Sequence, residues 1–257
     1  EELFKLALPT NKNPNWINFR IVLSLAGQYK FYEARDLAKR VLAAETENDF
    51  DVTLKIIVEA FDSMGEYQFA DAFLLEQAGI RKVANKSLTE MLVVKARRED
   101  AQKASLGFAN PMTAMELNRK GALLSITQQC DKALPLLEKS LAISEYPTAA
   151  RYAIPCLFNQ KNYEVAWQTS NGLVNLNKDD VVALSFRGVL YGMQNDAAKA
   201  EADLAKAISV FPELAAIFNS LDNAKKIYQV QNKPNKVNEI EALEKKLAAL
   251  NAEMNPS

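Results

Sequence analysis

The sequence contains no histidine, and this absence excludes several classes of enzyme. Ser-His-Asp and Cys-His nucleophile systems, histidine metal sites and the HExxH motif all require an imidazole ring. CxxC, GxxxxGK[ST] and GxGxxG motifs are absent as well. Carboxylate or lysine chemistry remains open in principle, but no motif positions such a group. We therefore expect a protein that is not an enzyme and that uses no cofactor and no metal.

Glycine, proline and cysteine are all scarce. The chain has eight glycines and nine prolines in 257 residues, and it is rich in alanine, leucine, lysine and glutamate. This composition favours helices. Two cysteines, Cys130 and Cys156, are too few for a disulfide framework, and we expect both to be reduced and partly buried. Apolar runs are short and interrupted by charges, so we predict no transmembrane segment.

No excess of either charge is present, with 31 basic and 32 acidic residues. This balance argues against a general binder of nucleic acid or of anionic membranes, which needs a basic surface. The numbered chain begins at Glu1 without a methionine, and we expect a processed or trimmed product. The expected location is the cytoplasm, with the bacterial periplasm as the alternative if a signal peptide has been removed.

The stretch 181–212 is the clearest copy of an internal repeat, and its spacing serves as the reference for finding the other copies. Counting from Val181, small residues occupy positions 8, 20 and 27, and a proline occupies position 32: Gly188, Ala200, Ala207 and Pro212. Small residues at fixed places allow two antiparallel helices to approach closely. A proline ends one helix and is well placed to start the next.

This spacing resembles the tetratricopeptide repeat, a helix–turn–helix unit of about 34 residues. One departure is Arg187, where the family usually has leucine. The alanine at position 20 recurs in earlier copies as Ala166, Ala133, Ala70 and, most loosely, Ala34. The resemblance covers about 15–78 and 114–212. It implies an all-α fold, a right-handed superhelical solenoid of antiparallel helix pairs with a C-terminal capping helix.

The interruptions of the repeat predict the domain organisation. The predicted segments are 1–80 with N-terminal helix pairs, 81–112 with an irregular linking helix region, 113–212 with three repeats, and 213–257 with a C-terminal helix pair and cap. Within the linking region, 86–106 is either one long helix or a degenerate pair. Pro155 falls inside a predicted first helix, so we expect a local distortion over 147–160. The last two helices are expected at about 213–231 and 235–253.

The resemblance also implies a concave groove lined by positions 2, 5, 6, 9, 12 and 13 of each first helix. The matching residues are Lys55, Glu59, Asp62, Asn118, Arg119, Ser125, Arg151, Tyr152, Asn159, Ser185, Phe186 and Met193, with Asn219 and Asn223 if the last pair is a sixth copy. Asn118, Arg119, Arg151 and Tyr152 would face one groove and could hold the backbone or a carboxylate of a peptide. Because Lys55 is followed by Glu59 rather than asparagine, we do not predict the family's clamp for chaperone tails.

The function implied is that of a non-enzymatic scaffold, which binds a peptide or protein segment in this groove and supports the assembly of a complex. Two alternatives stay open. One is an assembly component, possibly a lipoprotein, of a bacterial envelope machine such as a pilus or secretion system. The other is a homo-oligomeric scaffold, because 45–76 carries nine acidic residues and one basic residue, whereas 81–103 carries seven basic and three acidic residues.

Overall fold

A computed structural model describes residues 14–81, 113–144 and 147–254 of the protein. These ranges consist of helices and short turns and contain no strand, which confirms the all-α class. The chain divides into two compact units, Glu1–Asp100 and Ala101–Ser257. The predicted linking helix at 86–106 lies outside the described residues, and so does most of the basic stretch 81–103.

The described helices are numbered here in chain order. In the N-terminal unit they are α1 (Pro14–Gly27), α2 (Phe31–Ala44), α3 (Glu47–Ser63) and α4 (Tyr67–Arg81). In the C-terminal unit they are α5 (Ala114–Ile126), α6 (Cys130–Ile143), α7 (Pro147–Asn159), α8 (Tyr163–Leu176), α9 (Val181–Met193), α10 (Ala197–Val210), α11 (Pro212–Ile217), α12 (Ser220–Val230) and α13 (Pro234–Met254). The five predicted helix pairs are therefore confirmed.

Every pair is closed by the same turn. A residue with a φ angle between 55° and 85° follows each first helix, namely Tyr29, Gly65, Gln128, Lys161, Asn195 or Asn232. In the turn after α9, the amide of Asp196 donates to the carbonyl of Tyr191 at 2.9 Å, and that of Asn195 donates to Gly192 at 3.1 Å. This pair of bonds is the Schellman arrangement, which satisfies the last carbonyls of a helix and reverses the chain.

The seam between the two helices of a pair depends on small residues. A Cβ atom added to Gly188 would lie 2.8 Å from Cγ of Leu204 and 3.3 Å from the carbonyl oxygen of Ala200. One added to Gly121 would lie 2.7 Å from Cγ of Leu137. In both pairs, glycine on the first helix makes room for leucine on the second helix.

The intervening pair reverses this arrangement of sizes. At the equivalent repeat positions, Ile154 stands on α7 and Ser170 on α8, and both are fully buried. Large and small residues therefore exchange places across the seam, which preserves the filled volume that close packing requires.

The N-terminal unit has an aromatic core and a buried ion pair. The ring centroid of Phe61 lies 5.2 Å from that of Phe69 and 5.6 Å from that of Phe73. Arg35 on α2 donates from Nη2 to Oε1 of Glu76 on α4 at 2.6 Å and from Nε to Oε2 at 3.0 Å. Both side chains are buried, and this bidentate geometry connects the two second helices of the unit.

The first helix of the last pair is broken, whereas the sequence predicted one helix over about 213–231. α11 ends at Ile217, and Asn219 adopts the left-handed conformation before α12 begins. Asn195 and Asn232 are 37 residues apart, compared with 33 and 34 for the preceding turns, and the break accommodates the additional residues. Ser220 Oγ donates to Ser185 Oγ at 2.6 Å and fixes the break to α9. The final helix, α13, confirms the prediction for 235–253.

The expectation of two reduced cysteines was wrong, because Cys130 and Cys156 form a disulfide. Cys130 begins α6, the second helix of one pair, and Cys156 lies in α7, the first helix of the next pair. Folding brings their Cα atoms to 5.0 Å, a separation that suits a disulfide. Counting cysteines could not show this proximity. α7 itself continues through Pro155, so the proline does not end the helix.

Within the described ranges, no helix has both the length and the hydrophobicity needed to cross a membrane.

We predict that Gly188→Val destabilises the protein by about 1–3 kcal/mol, because the new side chain meets Leu204 and backbone across a closely packed seam. Gly172→Ala is the matched control in α8, since a Cβ there meets no atom within 4 Å. It should stabilise the helix by about 0.5–1 kcal/mol. Urea unfolding of the full chain measures both changes. A Gly188→Val protein as stable as the wild type would contradict the close approach.

Candidate functional site

Three phenylalanine rings from successive first helices contact one another in the C-terminal unit. Phe158 lies on α7, Phe186 lies on α9, and Phe218 lies in the break between α11 and α12. The ring centroids of Phe158 and Phe186 are 5.5 Å apart, and those of Phe186 and Phe218 are 5.9 Å apart, both with edge-to-face geometry. All three rings are half-buried, so each one retains exposed surface. We call these three residues the aromatic ladder.

The break in the last pair supplies the third ring of the ladder. Phe218 directly precedes Asn219, whose left-handed conformation ends one helical segment and allows the next to begin. The left-handed conformation costs asparagine less energy than it costs most other residues, because the short polar side chain of asparagine can form a local hydrogen bond. The local backbone of the break therefore determines where the Phe218 ring lies.

An apolar stripe on α9 continues the surface of the ladder. Phe186, Val189 and Met193 are spaced i, i+3 and i+7 and so share one side of the helix. Met193 is 51% exposed. On α12, Val230 stands two residues before the left-handed Asn232, as Met193 stands two before Asn195, and it is 86% exposed. We define the apolar face as Phe158, Phe186, Val189, Met193, Phe218 and Val230.

Both charges on the two central first helices are neutralised by ion pairs. α7 and α9 together contain two charged residues, Arg151 and Arg187. Arg151 Nε donates to Asp180 Oδ2 at 2.7 Å, and both side chains are buried. Arg187 donates from Nε and Nη2 to Asp203 at 2.7 and 2.9 Å. This hydrogen bonding raises the pKa of Arg187 above its usual value, since it stabilises the charged form.

The predicted groove residues occupy three different environments. Asn118, Ser125, Arg151, Tyr152 and Ser185 are buried; Lys55, Asp62, Phe186 and Asn223 are half-buried; Glu59, Arg119, Asn159, Met193 and Asn219 are exposed. Among the four residues predicted to face one groove, only Arg119 is exposed. The guanidinium of Arg151 is already bound to a buried carboxylate, and this pairing competes with any carboxylate from a peptide.

Two of the buried residues, both serines, donate hydrogen bonds to backbone carbonyl groups. Ser125 Oγ donates to the carbonyl of Tyr152 at 2.7 Å and connects α5 to α7. Ser185 Oγ donates to the carbonyl of Val181 at 2.6 Å while it accepts the bond from Ser220. These hydroxyls position the first helices relative to one another.

Sequence reasoning missed four members of the apolar face, namely Phe158, Val189, Phe218 and Val230. Phe158 stands at position 12 and Val189 at position 9 of their repeats, so the repeat register could have identified both. Phe218 and Val230 could not be assigned in this way, because the break after Ile217 changes the register of the last pair.

No family model matches the chain, and a search of curated proteins finds no match. Solved structures give three examples of similar proteins, all with tetratricopeptide repeats. The first domain of human RPAP3 is 24% identical, with 49% of this chain and 98% of that one covered and a TM-score of 0.40. A protein from Parabacteroides merdae is 17% identical, with coverages of 93% and 99% and a TM-score of 0.45. YrrB is 20% identical, with coverages of 83% and 95% and a TM-score of 0.40.

These likenesses are weak, and the chain's own geometry is the firmer basis for its fold. The same left-handed turn closes each pair, and the turns after α5, α7 and α9 recur at intervals of 33 and 34 residues. Small residues occupy the seam at the predicted positions. In these respects the chain is a tetratricopeptide-repeat-like protein of paired antiparallel helices.

Proposed function

We propose that the protein is a non-enzymatic scaffold that binds a segment of a partner protein on the first helices α7, α9 and α12. The observation that carries the proposal is the aromatic ladder, which runs across three successive helix pairs and retains exposed surface. Aromatic side chains, phenylalanine among them, are enriched at the cores of protein interfaces. The exposed Met193 and Val230 extend the same surface at the ends of two of these helices.

The scaffold that carries this surface is well suited to binding. Its residues stand on helices, which hold side chains more firmly than loops do. The hydroxyl bonds from Ser125 to α7 and between Ser220 and Ser185 connect neighbouring first helices. A partner therefore meets rings that are already placed, which lowers the entropy lost on binding.

Photocrosslinking tests this function in the native cell extract. We expect a photoreactive residue in place of Met193 to form an adduct with a partner. The same residue in place of Leu176, which is 79% exposed at the end of α8, should form none with that partner. Phe186→Ala in the Met193 variant should reduce the yield about tenfold or more, by loss of an interface anchor. Equal adducts from both positions, or none from position 193, would contradict the proposal.

The disulfide favours a second candidate function, an assembly component of a bacterial envelope machine. Disulfides persist in oxidising compartments such as the periplasm and are rare in the cytosol. The bond joins α6 to α7 and closes a loop with a sequence separation of 26 residues. A closed loop of this size stabilises the folded chain by roughly 3.5 kcal/mol in the chain-entropy description.

Thiol trapping in the source cells tests this second function. Cells are quenched with acid, free thiols are alkylated, and the isolated protein is then reduced and labelled with a second reagent. We expect both Cys130 and Cys156 to take up only the second reagent. Alkylation of both residues in the first step would show reduced thiols and would remove the support for an envelope location.

The homo-oligomeric alternative stays a prediction. Most of its basic stretch, 81–103, lies outside the described residues, so the structure adds nothing to that hypothesis.

A further inference from the structure

We propose that the apolar face selects a partner segment whose contacting side chains are aromatic or aliphatic and uncharged. This inference rests on the proposed function and specifies its partner. It differs from the sequence prediction of a polar groove, in which Asn118, Arg119, Arg151 and Tyr152 could hold the backbone or a carboxylate of a peptide.

The first argument is the charge of the central helices. α7 and α9 present no charged side chain other than Arg151 and Arg187. Their salt bridges to Asp180 and Asp203 are short and wholly or largely buried. A carboxylate or ammonium group placed against α7 or α9 would lose hydration without gaining a counter-charge from these helices, and such desolvation is unfavourable. The face therefore discriminates against charged segments.

The second argument is the chemistry of the exposed atoms. The ladder offers ring edges and faces, which pack well against aromatic and aliphatic side chains. Met193 adds an unbranched, polarisable side chain that adapts to different apolar shapes. Val230 contributes the most exposed large hydrophobic side chain among the described residues. The face is apolar on α7 and α9, whereas α12 carries the ion pair of Asp222 and Lys226 between Phe218 and Val230.

Charged residues stand on α5 and α12, the first helices on either side of α7 and α9. Arg119 is exposed on α5, and Lys226 on α12 pairs with Asp222 at 2.7 Å. These polar positions lie on both sides of the uncharged centre on α7 and α9, and many protein interfaces combine an apolar core with a polar rim. Charges in the partner are therefore expected outside the part of the segment that contacts Phe158 and Phe186.

A library of capped nine-residue peptides, screened against the full-length protein, tests the selectivity. We expect enrichment of Phe, Leu, Met, Tyr and Trp and depletion of Asp, Glu, Lys and Arg. The affinity of a selected peptide should change by less than about twofold between roughly 0.05 and 0.5 M salt, because no ion pair forms. Enrichment of acidic or basic residues, or a much stronger salt dependence, would overturn the inference.

Three variants locate the binding. Met193→Lys places a charge on the apolar face at an exposed position, and it should weaken binding of the selected peptide about tenfold or more. Met193→Leu keeps the apolar character and should bind within about twofold of the wild type. Leu176→Ala removes an exposed aliphatic residue outside the face and should have no effect. Equal binding by the Met193→Lys variant would overturn the inference even if the library selected apolar peptides.

The outcomes also separate this inference from the proposed function. Charged consensus peptides that crosslink at position 193 would leave the scaffold function standing and overturn the selectivity. Failure of every peptide to bind, together with successful crosslinking of a partner, would likewise overturn only the inference. Failure of both experiments would remove the proposed function itself.

Discussion

The second helix of every pair can pack against its first helix because one residue between them adopts the left-handed conformation. That residue and its successor satisfy the last carbonyls of the first helix and reverse the chain. Three of the six described turns use glycine or asparagine, which tolerate this conformation well. Tyr29, Gln128 and Lys161 adopt it too, although it is unfavourable for such residues. The helix packing on both sides of the turn therefore outweighs a local preference.

The turn fixes the alignment of the second helix against the first. This alignment determines which side chains lie in the seam between the two helices and which lie on the surface. On the inner seam, residues of complementary size fill the volume, with glycine opposite leucine in two pairs and an isoleucine and a serine at the equivalent buried positions between them. Elsewhere on the first helices, the repeat register brings Phe158 and Phe186 into contact, and the break after Ile217 places Phe218 against Phe186. Arg151 and Arg187 are neutralised by Asp180 and Asp203. An apolar, uncharged surface thus follows from how the pairs are stacked.

The helix pairs could be predicted because their signal is local and periodic. Small residues such as Gly188 and Ala200 recur at fixed places, and the turn and proline signals between them agree with the period. The disulfide, the burial of Arg151 and the break at Asn219 could not be predicted. Each depends on which residues meet across different pairs, and a single sequence contains no direct record of those contacts. The groove predicted from the sequence was consequently more polar than the structure shows, because Asn118, Arg151 and Tyr152 are buried.

Hydrogen–deuterium exchange tests binding on the first-helix side most directly. The exchange of backbone amides in the C-terminal unit is compared with and without a saturating partner segment. Added protection is predicted in α7, α9 and α12, with little change in the second helices α6, α8 and α10. Protection confined to those second helices would contradict a binding surface on the aromatic ladder.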